Sequence, residues 1–368
     1  MLFNSQLFLA LFLPLVLIIY FFCANFLYKV PAVRHISLLI GSWVFYGWWD
    51  IRFLPLLAGS IIFNWLIAAL FRNCPKTVFV SIGLTLNLAL IGYFKYKNFF
   101  IEILAPLFNF EGAVNPLILP IGISFFTFQQ ISYLLDLKRG QAPLYNFIEY
   151  ALYVSFFPQL IAGPIVRHGE LIPQLKNNPC RQGLWERFSR GLTLFTIGLV
   201  KKVLIADTLG KHANSVFDAA LSVPPSLMES WTGVIAFSLQ IYFDFSAYSD
   251  MAIGLGLIFG FTLPLNFNSP YRARSLQDFW RRWHMTLSSF LRDYLYVPLG
   301  GSHKGVKRQI CATIVTMGLC GLWHGAGWNF LIWGSLHGII LGITHLFFIF
   351  DFKIKFPIYL KIFLTFNL

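Results

Sequence analysis

Two histidines stand in sequence contexts that suit proton transfer. His284 ends the motif Trp-Arg-Arg-Trp-His at 280–284, and His324 lies within Gly-Leu-Trp-His-Gly at 321–325. An imidazole with an ordinary pKa of about 6.5 can take up or release a proton near neutral pH. A water-poor pocket favours the neutral ring, which is the form that a general base needs. His324, which lies in the longest uncharged run, is therefore a candidate for acid–base catalysis.

His324 lies inside the longest run that lacks Asp, Glu, Lys and Arg, the 42 residues 309–350. At ~1.5 Å per residue this run would extend about 63 Å as a helix, which is enough for two membrane crossings. We therefore predict a double span over 309–350. Ionisable side chains at membrane depth usually face a cavity or a partner.

Glycines at helical spacing surround His324 and continue into the second half of this run. They are Gly318, Gly321, Gly325, Gly334, Gly338 and Gly342. Such small-residue faces let another backbone, or a slender ligand, come close. The same pattern also suits a histidine that only packs at a helix contact, and this alternative applies to His337 and His345 as well. Cys320, four residues before His324, leaves a Cys–His nucleophile pair open.

Residues 275–297 predict one amphipathic helix. Apolar residues recur there at spacings of three and four and cover one arc of about 120°. Ser275, followed by Asp278, predicts the helix start, and His284 falls at the edge of the polar side beside Gln277 and Ser288. The helix either lies among lipid headgroups with His284 at its polar edge, or closes a cavity that His284 lines.

Two acids, Asp244 and Asp250, lie among apolar residues in the segment 231–267. Carboxylates in such surroundings need a cation, a hydroxyl group or water. They are either satisfied structural acids or supports of a substrate path.

The composition excludes an ordinary soluble or disordered protein. Of the 368 residues, 57% are hydrophobic and 12% are charged, whereas soluble domains carry about 25% charged residues. Apolar runs long enough to span, or nearly so, predict an all-α polytopic membrane protein with about ten spans, some of them re-entrant. These runs are 5–28, 35–49, 53–71, 77–94, 112–135, 150–166, 191–200, 230–243, 251–271 and the double span.

The net charge of +13 follows from Lys and Arg in the short gaps between apolar runs, and eight of these residues lie in 272–308. Such flanking charges are typical of membrane proteins, so nucleic acid is not expected as a partner. The five cysteines contain no CxxC pair, which argues against a metal or redox motif. No linker divides the chain, so we predict one integral membrane domain over 1–368.

Long stretches of the chain resemble the bacterial alginate O-acetyltransferase branch of the membrane-bound O-acyltransferases. The resemblance lies in LPIGISFFTFQQISYLLD (119–136), FPQLIAGPIVR (157–167), YFDFSAYSDMAIGLG (242–256), the block 266–301 that contains WRRWH, and GLWHGAGWNFLIWGSLHG (321–338). It implies a ring of transmembrane helices around a thin membrane centre. It also implies that His324 is catalytic and that His284 is its companion.

The implied reaction is acetyl transfer from a cytoplasmic thioester, acetyl-CoA, toward an exported polysaccharide such as alginate or peptidoglycan. His324 would take the proton of the acceptor hydroxyl, and His284 would orient the donor or stabilise the oxyanion. From their charge, and not from the resemblance, Arg281 and Arg282 are predicted to meet the donor phosphates. No bound cofactor or metal is expected. Further candidates for the substrate tunnel or its support are His337, Trp323, Asp244, Asp250, Gln277, Ser288 and Asn329.

The resemblance further implies the bacterial inner membrane, contact with membrane lipid and a periplasmic acetyltransferase partner. Family members extend past the equivalent of Leu368, so a C-terminally truncated member is expected. The alternatives are D-alanyl transfer to a cell-wall polymer, and a transporter or scaffold of an export complex without chemistry. Inverted repeats, which are typical of many transporters, are not seen in the sequence.

Overall fold

The computed structural model describes residues 1–108, 117–349 and 357–366. Over these ranges the chain forms helices joined by turns, with no β-strand. The α-helices are α1 (Leu13–Phe26), α2 (Pro31–Gly47), α3 (Leu54–Asn73), α4 (Thr77–Ile91), α5 (Lys97–Phe108), α6 (Ile123–Lys138), α7 (Phe147–Ser155), α8 (Phe157–Leu160), α9 (His168–Leu171), α10 (Leu184–Val200), α11 (Asp207–Ala220), α12 (Leu227–Phe259), α13 (Leu276–Trp280), α14 (Met285–Leu291), α15 (Val306–His324), α16 (Trp328–Ile349) and α17 (Ile358–Phe366).

Tighter and wider helical turns adjoin several of these helices. Turns of 3₁₀ type cover Ile51–Phe53, Ile172–Lys176 and Pro270–Arg272. Segments of π type cover Phe8–Phe12, Gly92–Tyr96, Lys201–Ala206 and Arg292–Tyr296. Such π turns are rare in proteins and frequently occur at functional sites.

Four continuous helical stretches in the described ranges are long and apolar enough to cross a membrane. They are Phe8–Phe26, Ile51–Asn73, Thr77–Pro106 and Trp328–Phe347. The first three contain most of the predicted runs 5–28, 53–71 and 77–94, and the fourth is the second half of the double span. The all-helical membrane character predicted from composition is therefore confirmed.

Other apolar runs fold differently from the prediction. Residues 112–116 of run 112–135 lie outside the described residues, and in the rest of this run the helix α6 begins at Ile123. Run 150–166 contains the last six residues of α7 and the four residues of α8. The runs 230–243 and 251–271 are not separate spans, because the 33-residue helix α12 includes the first run and continues into the second. It ends at Gly260, whose φ of 91° is a left-handed conformation that favours glycine.

The chain divides into two compact units by its internal contacts, each built from two segments. The first unit comprises Met1–Val80 and Tyr133–Leu265, and its core is rich in phenylalanine. Phe3, Phe8 and Phe157 are at most 1% exposed there. The prediction of one functional membrane domain over 1–368 stays a prediction.

The second unit comprises Ser81–Ser132 and Asn266–Leu368. It contains both histidine motifs and the helices α13 to α16. The helices α15 and α16 are joined by three residues, 325–327, so the run 309–350 contains a pair of helices that turns directly after His324. Of the two, α16 is among the four stretches long and apolar enough to cross a membrane and α15 is not, so the double span stays a prediction.

The predicted continuous helix over 275–297 is wrong, because the chain turns sharply at His284. Ser275 caps α13 as predicted, since its Oγ accepts the Asp278 amide at 3.1 Å. His284 itself has φ 43° and ψ 54°, a left-handed conformation that costs a non-glycine residue roughly 1–2 kcal/mol. A new helix, α14, then begins at Met285.

Backbone hydrogen bonds on both sides of His284 hold this break. The Asn268 amide donates to the Arg282 carbonyl at 2.9 Å, and the Met285 amide donates to the Asn266 carbonyl at 2.9 Å. Asn266 and Asn268 thus form hydrogen bonds with backbone groups that an uninterrupted helix would pair within itself. Periodicity could not reveal this competition, because it records spacing within 275–297 and not bonds to residues 266 and 268.

Candidate active site

The glycine faces predicted around His324 pack against each other. A Cβ atom on Gly334 would lie 2.9 Å from the Cα of Gly321, and one on Gly338 would lie 2.8 Å from the Cα of Ile314. Real Cβ atoms do not approach other atoms so closely, so these positions require glycine. The contact fixes α15 against α16 and thereby places His324 at the turn between them.

His324 is exposed at the end of α15 and touches two indole rings. Its ring centroid lies 4.8 Å from that of Trp323 and 5.4 Å from that of Trp333, with an interplanar angle of 88° to Trp333. Trp333 also contacts His337, with ring centroids 4.9 Å apart. The structure therefore connects His337 to His324 through one tryptophan.

Trp280 contacts the same group of rings from α13. Its indole Nε1 donates to His337 Nδ1 at 3.3 Å, and its ring centroid lies 6.1 Å from that of Trp333. Trp280 and Trp333 are not among the site residues predicted from the sequence. The available signal was their place in the two histidine motifs, four residues before His284 and nine after His324.

His284 is buried rather than placed at an interfacial edge. It is 0% exposed, and its ring centroid lies 5.9 Å from that of Trp323. Trp323 thus contacts both His284 and His324, so the two predicted histidines converge on one indole. The interfacial alternative for His284 is contradicted by this burial.

The electrostatics of this pocket keep His284 neutral. Burial, assisted by the nearby His324, lowers the pKa of His284 to about 3. Its Nδ1 lies 3.0 Å from Asn266 Oδ1, a residue that the sequence analysis missed. The available signal for Asn266 was a polar side chain at the end of an apolar stretch, shortly before the turn Pro270–Arg272.

Lys95 and Tyr96 hold the end of the helix that carries His324. Lys95 Nζ donates to the Trp323 carbonyl and lies 5.4 Å from the centre of the Trp323 ring. Tyr96 Oη donates to the Leu322 carbonyl at 2.7 Å. The last carbonyls of an α-helix lack partners within the helix and form its negative end, so a lysine is well suited there. The prediction missed both residues because the apolar run 77–94 was taken to end before them.

Removal of the Lys95 ammonium should destabilise the helix end beside His324. For Lys95→Met we expect the free energy of unfolding to fall by about 1.5–3 kcal/mol, the range of hydrogen bonds to charged groups. Thermal unfolding of the protein in detergent measures this loss. Lys97→Met, two residues along the same helix, is the matched control, and equal melting temperatures for both variants would contradict the role of Lys95.

Three of the remaining candidates line one cavity of about 550 Å³ in the second unit. They are Gln277, Arg281 and Ser288, and the lining also includes Arg292 and His345. Arg281 is exposed and lies in the wall of this cavity. A smaller cavity of about 180 Å³ lies against Cys320 and shares Trp280 and Ser288 with the first.

Other candidates have structural partners instead. Arg282 forms an ion pair with Asp278 at 2.8 Å, so its charge is largely satisfied. Asp244 and Asp250, in the first unit, pair with Lys202 at 2.7 Å and Lys201 at 2.6 Å. These pairs explain how α12 carries two acids without interruption.

The predicted role of Asn329 stays a prediction. Asn329 is exposed at the second residue of α16. Within the described part of the chain, no group of three or more His, Cys, Asp or Glu residues is placed to hold a metal ion.

Comparison with known proteins matches a family model to residues 90–353, that of the membrane-bound O-acyltransferase family. A "Peptidoglycan O-acetyltransferase" of Helicobacter pylori is 44% identical over 374 residues, covering 93% of this chain and 70% of that protein. A "Probable alginate O-acetylase AlgI" of Pseudomonas aeruginosa is 43% identical over 353 residues, covering 93% and 66%. A "Teichoic acid D-alanyltransferase" of Bacillus subtilis is 25% identical over 232 residues, covering 60% and 58%.

Proposed function

The chain belongs to the membrane-bound O-acyltransferase family and is an acyltransferase, and on that premise we propose that it transfers acetyl groups toward an exported polysaccharide. The donor would be acetyl-CoA on the cytoplasmic side of the inner membrane. The polysaccharide would be alginate or peptidoglycan, reached through a periplasmic acetyltransferase partner. A ring of about ten membrane helices would bring donor and acceptor together.

The observation that carries this proposal is the convergence of His324 and His284 on Trp323. In the proposed reaction His324 takes the proton of the acceptor hydroxyl as its oxygen attacks the thioester carbonyl carbon. The tetrahedral intermediate then collapses, the carbon–sulfur bond breaks and the proton passes to the thiolate. The exposed position of His324 at a helix end suits a residue that must reach two substrates.

The charge that develops on the carbonyl oxygen needs a hydrogen-bond donor. The indole Nε1 of Trp323 is buried and has no hydrogen-bond partner among the residues that the structure describes. It lies in the ring that contacts both histidines, so it is the donor that we assign to this oxygen.

The cavity lined by Arg281 is the proposed entrance for the donor. Its polar wall would meet the phosphates of acetyl-CoA, and Trp280 connects it to the rings around His324. The smaller cavity beside Cys320 is lined mainly by apolar side chains and would take the arm that carries the thioester.

Replacing Arg281 tests the donor entrance. For Arg281→Gln we expect the KM for acetyl-CoA to rise about tenfold or more, since a hydrogen bond to a charged group contributes about 1.5–3 kcal/mol. The kcat should stay near the wild-type value, because the loss is in binding. The assay is acetyl transfer by the protein in lipid nanodiscs, with Lys307→Gln as the matched control. An unchanged KM would remove Arg281 from the donor site.

D-alanyl transfer is the second candidate, favoured by the similarity to the teichoic acid D-alanyltransferases. That similarity reaches 60–61% of this chain at 25–28% identity, against 93% at 41–44% for the acetyl-transferring relatives. Mass spectrometry of surface glycans from cells with and without this protein distinguishes the two reactions. Acetyl esters that depend on the protein support our proposal, and D-alanyl esters overturn it.

A further inference from the structure

The side chain of Asn266 is buried directly beside His284. It is 1% exposed, and its Oδ1 lies 3.0 Å from His284 Nδ1 and 2.9 Å from Thr286 Oγ1. The Asn266 carbonyl also accepts the Met285 amide, as described above. One residue therefore holds both the backbone turn at His284 and one nitrogen of its ring.

The hydrogen-bond pattern identifies which atom of the Asn266 amide faces His284. The backbone amide of Thr286 approaches the same atom at 3.5 Å, and a backbone amide can only donate. The shared atom is therefore the carbonyl oxygen, which can only accept. It follows that the neutral His284 ring carries its hydrogen on Nδ1 and its lone pair on Nε2.

We infer that Asn266 is a positioning residue of the proposed transferase site, which holds His284 as the Nδ1–H tautomer and makes its Nε2 a hydrogen-bond acceptor. The inference rests on the proposed function for its role in catalysis, but the tautomer itself is a property of the resting protein. A left-handed turn in a non-glycine residue, supported from two sides, is typical of a residue held for function.

This assignment changes the role expected for His284. A neutral imidazole has a single N–H group, and Asn266 already accepts it, so His284 cannot donate to the oxyanion. Its Nε2 instead accepts a polar hydrogen from the bound substrates. Oxyanion stabilisation is therefore left to another donor, consistent with the Trp323 indole.

The tautomer can be measured without any enzymatic assay. We expect the 15N spectrum of histidine-labelled protein in bilayers to show His284 with a protonated Nδ1 and an unprotonated Nε2. A difference spectrum against His284→Phe assigns the signals. Asn266→Leu should lose this pattern, whereas Asn268→Leu, a matched change at an exposed asparagine two residues away, should keep it. A protonated Nε2 in the wild-type protein would overturn the inference.

Kinetics then test whether the tautomer matters for transfer. For Asn266→Leu we expect kcat to fall about 10- to 100-fold with little change in KM, the range that holds for partners orienting metal-ligating histidines. Asn266→Asp should restore most of the rate, since its carboxylate also accepts the Nδ1 hydrogen. The negative charge introduced by Asn266→Asp stabilises the protonated form of His284, so the acid limb of the pH profile should move to higher pH. His324, the titratable group facing His284, acts in the opposite direction, because its positive form disfavours protonation of His284.

The outcomes separate this inference from the proposed function. Asn266→Leu with the same kcat as Asn268→Leu would refute the positioning role while leaving acetyl transfer intact. A wild-type protein that transfers no acetyl group would refute the proposed function and the catalytic role together, while the 15N spectrum would still decide the tautomer.

Discussion

Replacement of His324 by alanine should reduce acetyl transfer by at least about 10²-fold. A positioned general base contributes typically 10²–10⁴-fold to the rate, and His324 is the exposed imidazole at the turn between α15 and α16. The loss should appear in kcat, since the donor cavity is lined by other residues. Measurement of acetyl-CoA turnover in nanodiscs, together with glycan O-acetylation in cells, tests both the reaction and its product.

Cys320→Ser is the matched control on the same helix. Cys320 is completely buried one turn before His324 and lines the smaller cavity, so Cys320→Ser should change packing and donor binding slightly and leave kcat near the wild-type value. A serine variant that loses transfer while folding normally would revive the Cys–His alternative. Full glycan acetylation by His324→Ala would instead favour a transporter or scaffold over an enzyme.

Replacement of Gly334 by alanine should destabilise the helix pair and lower transfer. Its Cβ would lie 2.9 Å from Gly321 Cα and closer still to the Met317 carbonyl, so α15 and α16 must separate. Overpacking of this kind costs about 1–3 kcal/mol, and the accompanying shift of His324 should reduce kcat tenfold or more. Thermal unfolding in detergent and the nanodisc assay measure the two effects.

Gly59→Ala is the matched control, because here the same change in a helix should not lower the stability. A Cβ atom on Gly59 would meet nothing within 4 Å, and alanine is intrinsically about 1 kcal/mol better than glycine in a helix. Its melting temperature should be unchanged or raised. If Gly334→Ala melted like Gly59→Ala, the close contact of the two helices would be refuted.

The helix pair in 309–350 and its glycine faces were predictable because their signals are local in sequence. Hydropathy over 42 uncharged residues and glycines spaced by three and four determine a tight helix pair, whichever element lies around it. The break at His284 was not predictable in this way. It depends on backbone bonds from residues 266–268, which compete with the helix that the apolar pattern at 275–297 predicts.

Most of the remaining differences between the predicted and the observed site arise from partners that are distant in the chain. The two acids of α12 looked like candidates for a substrate path, and the structure pairs them with lysines 42 and 49 positions away. Lys95 lies 228 positions from the carbonyl that it holds. No spacing rule relates residues so far apart.

The sequence by itself determined a helical membrane protein with two motif histidines and glycine-rich helix faces around His324. These features depend on hydrophobic burial and on local helix geometry, and both can be inferred from the composition of a segment and the spacing of its residues. Only the tertiary structure decided that His284 is buried, that it meets His324 across Trp323, and that Asn266 and Lys95 serve the same pocket. The orientation of an imidazole depends on hydrogen bonds whose partners are brought together by folding alone.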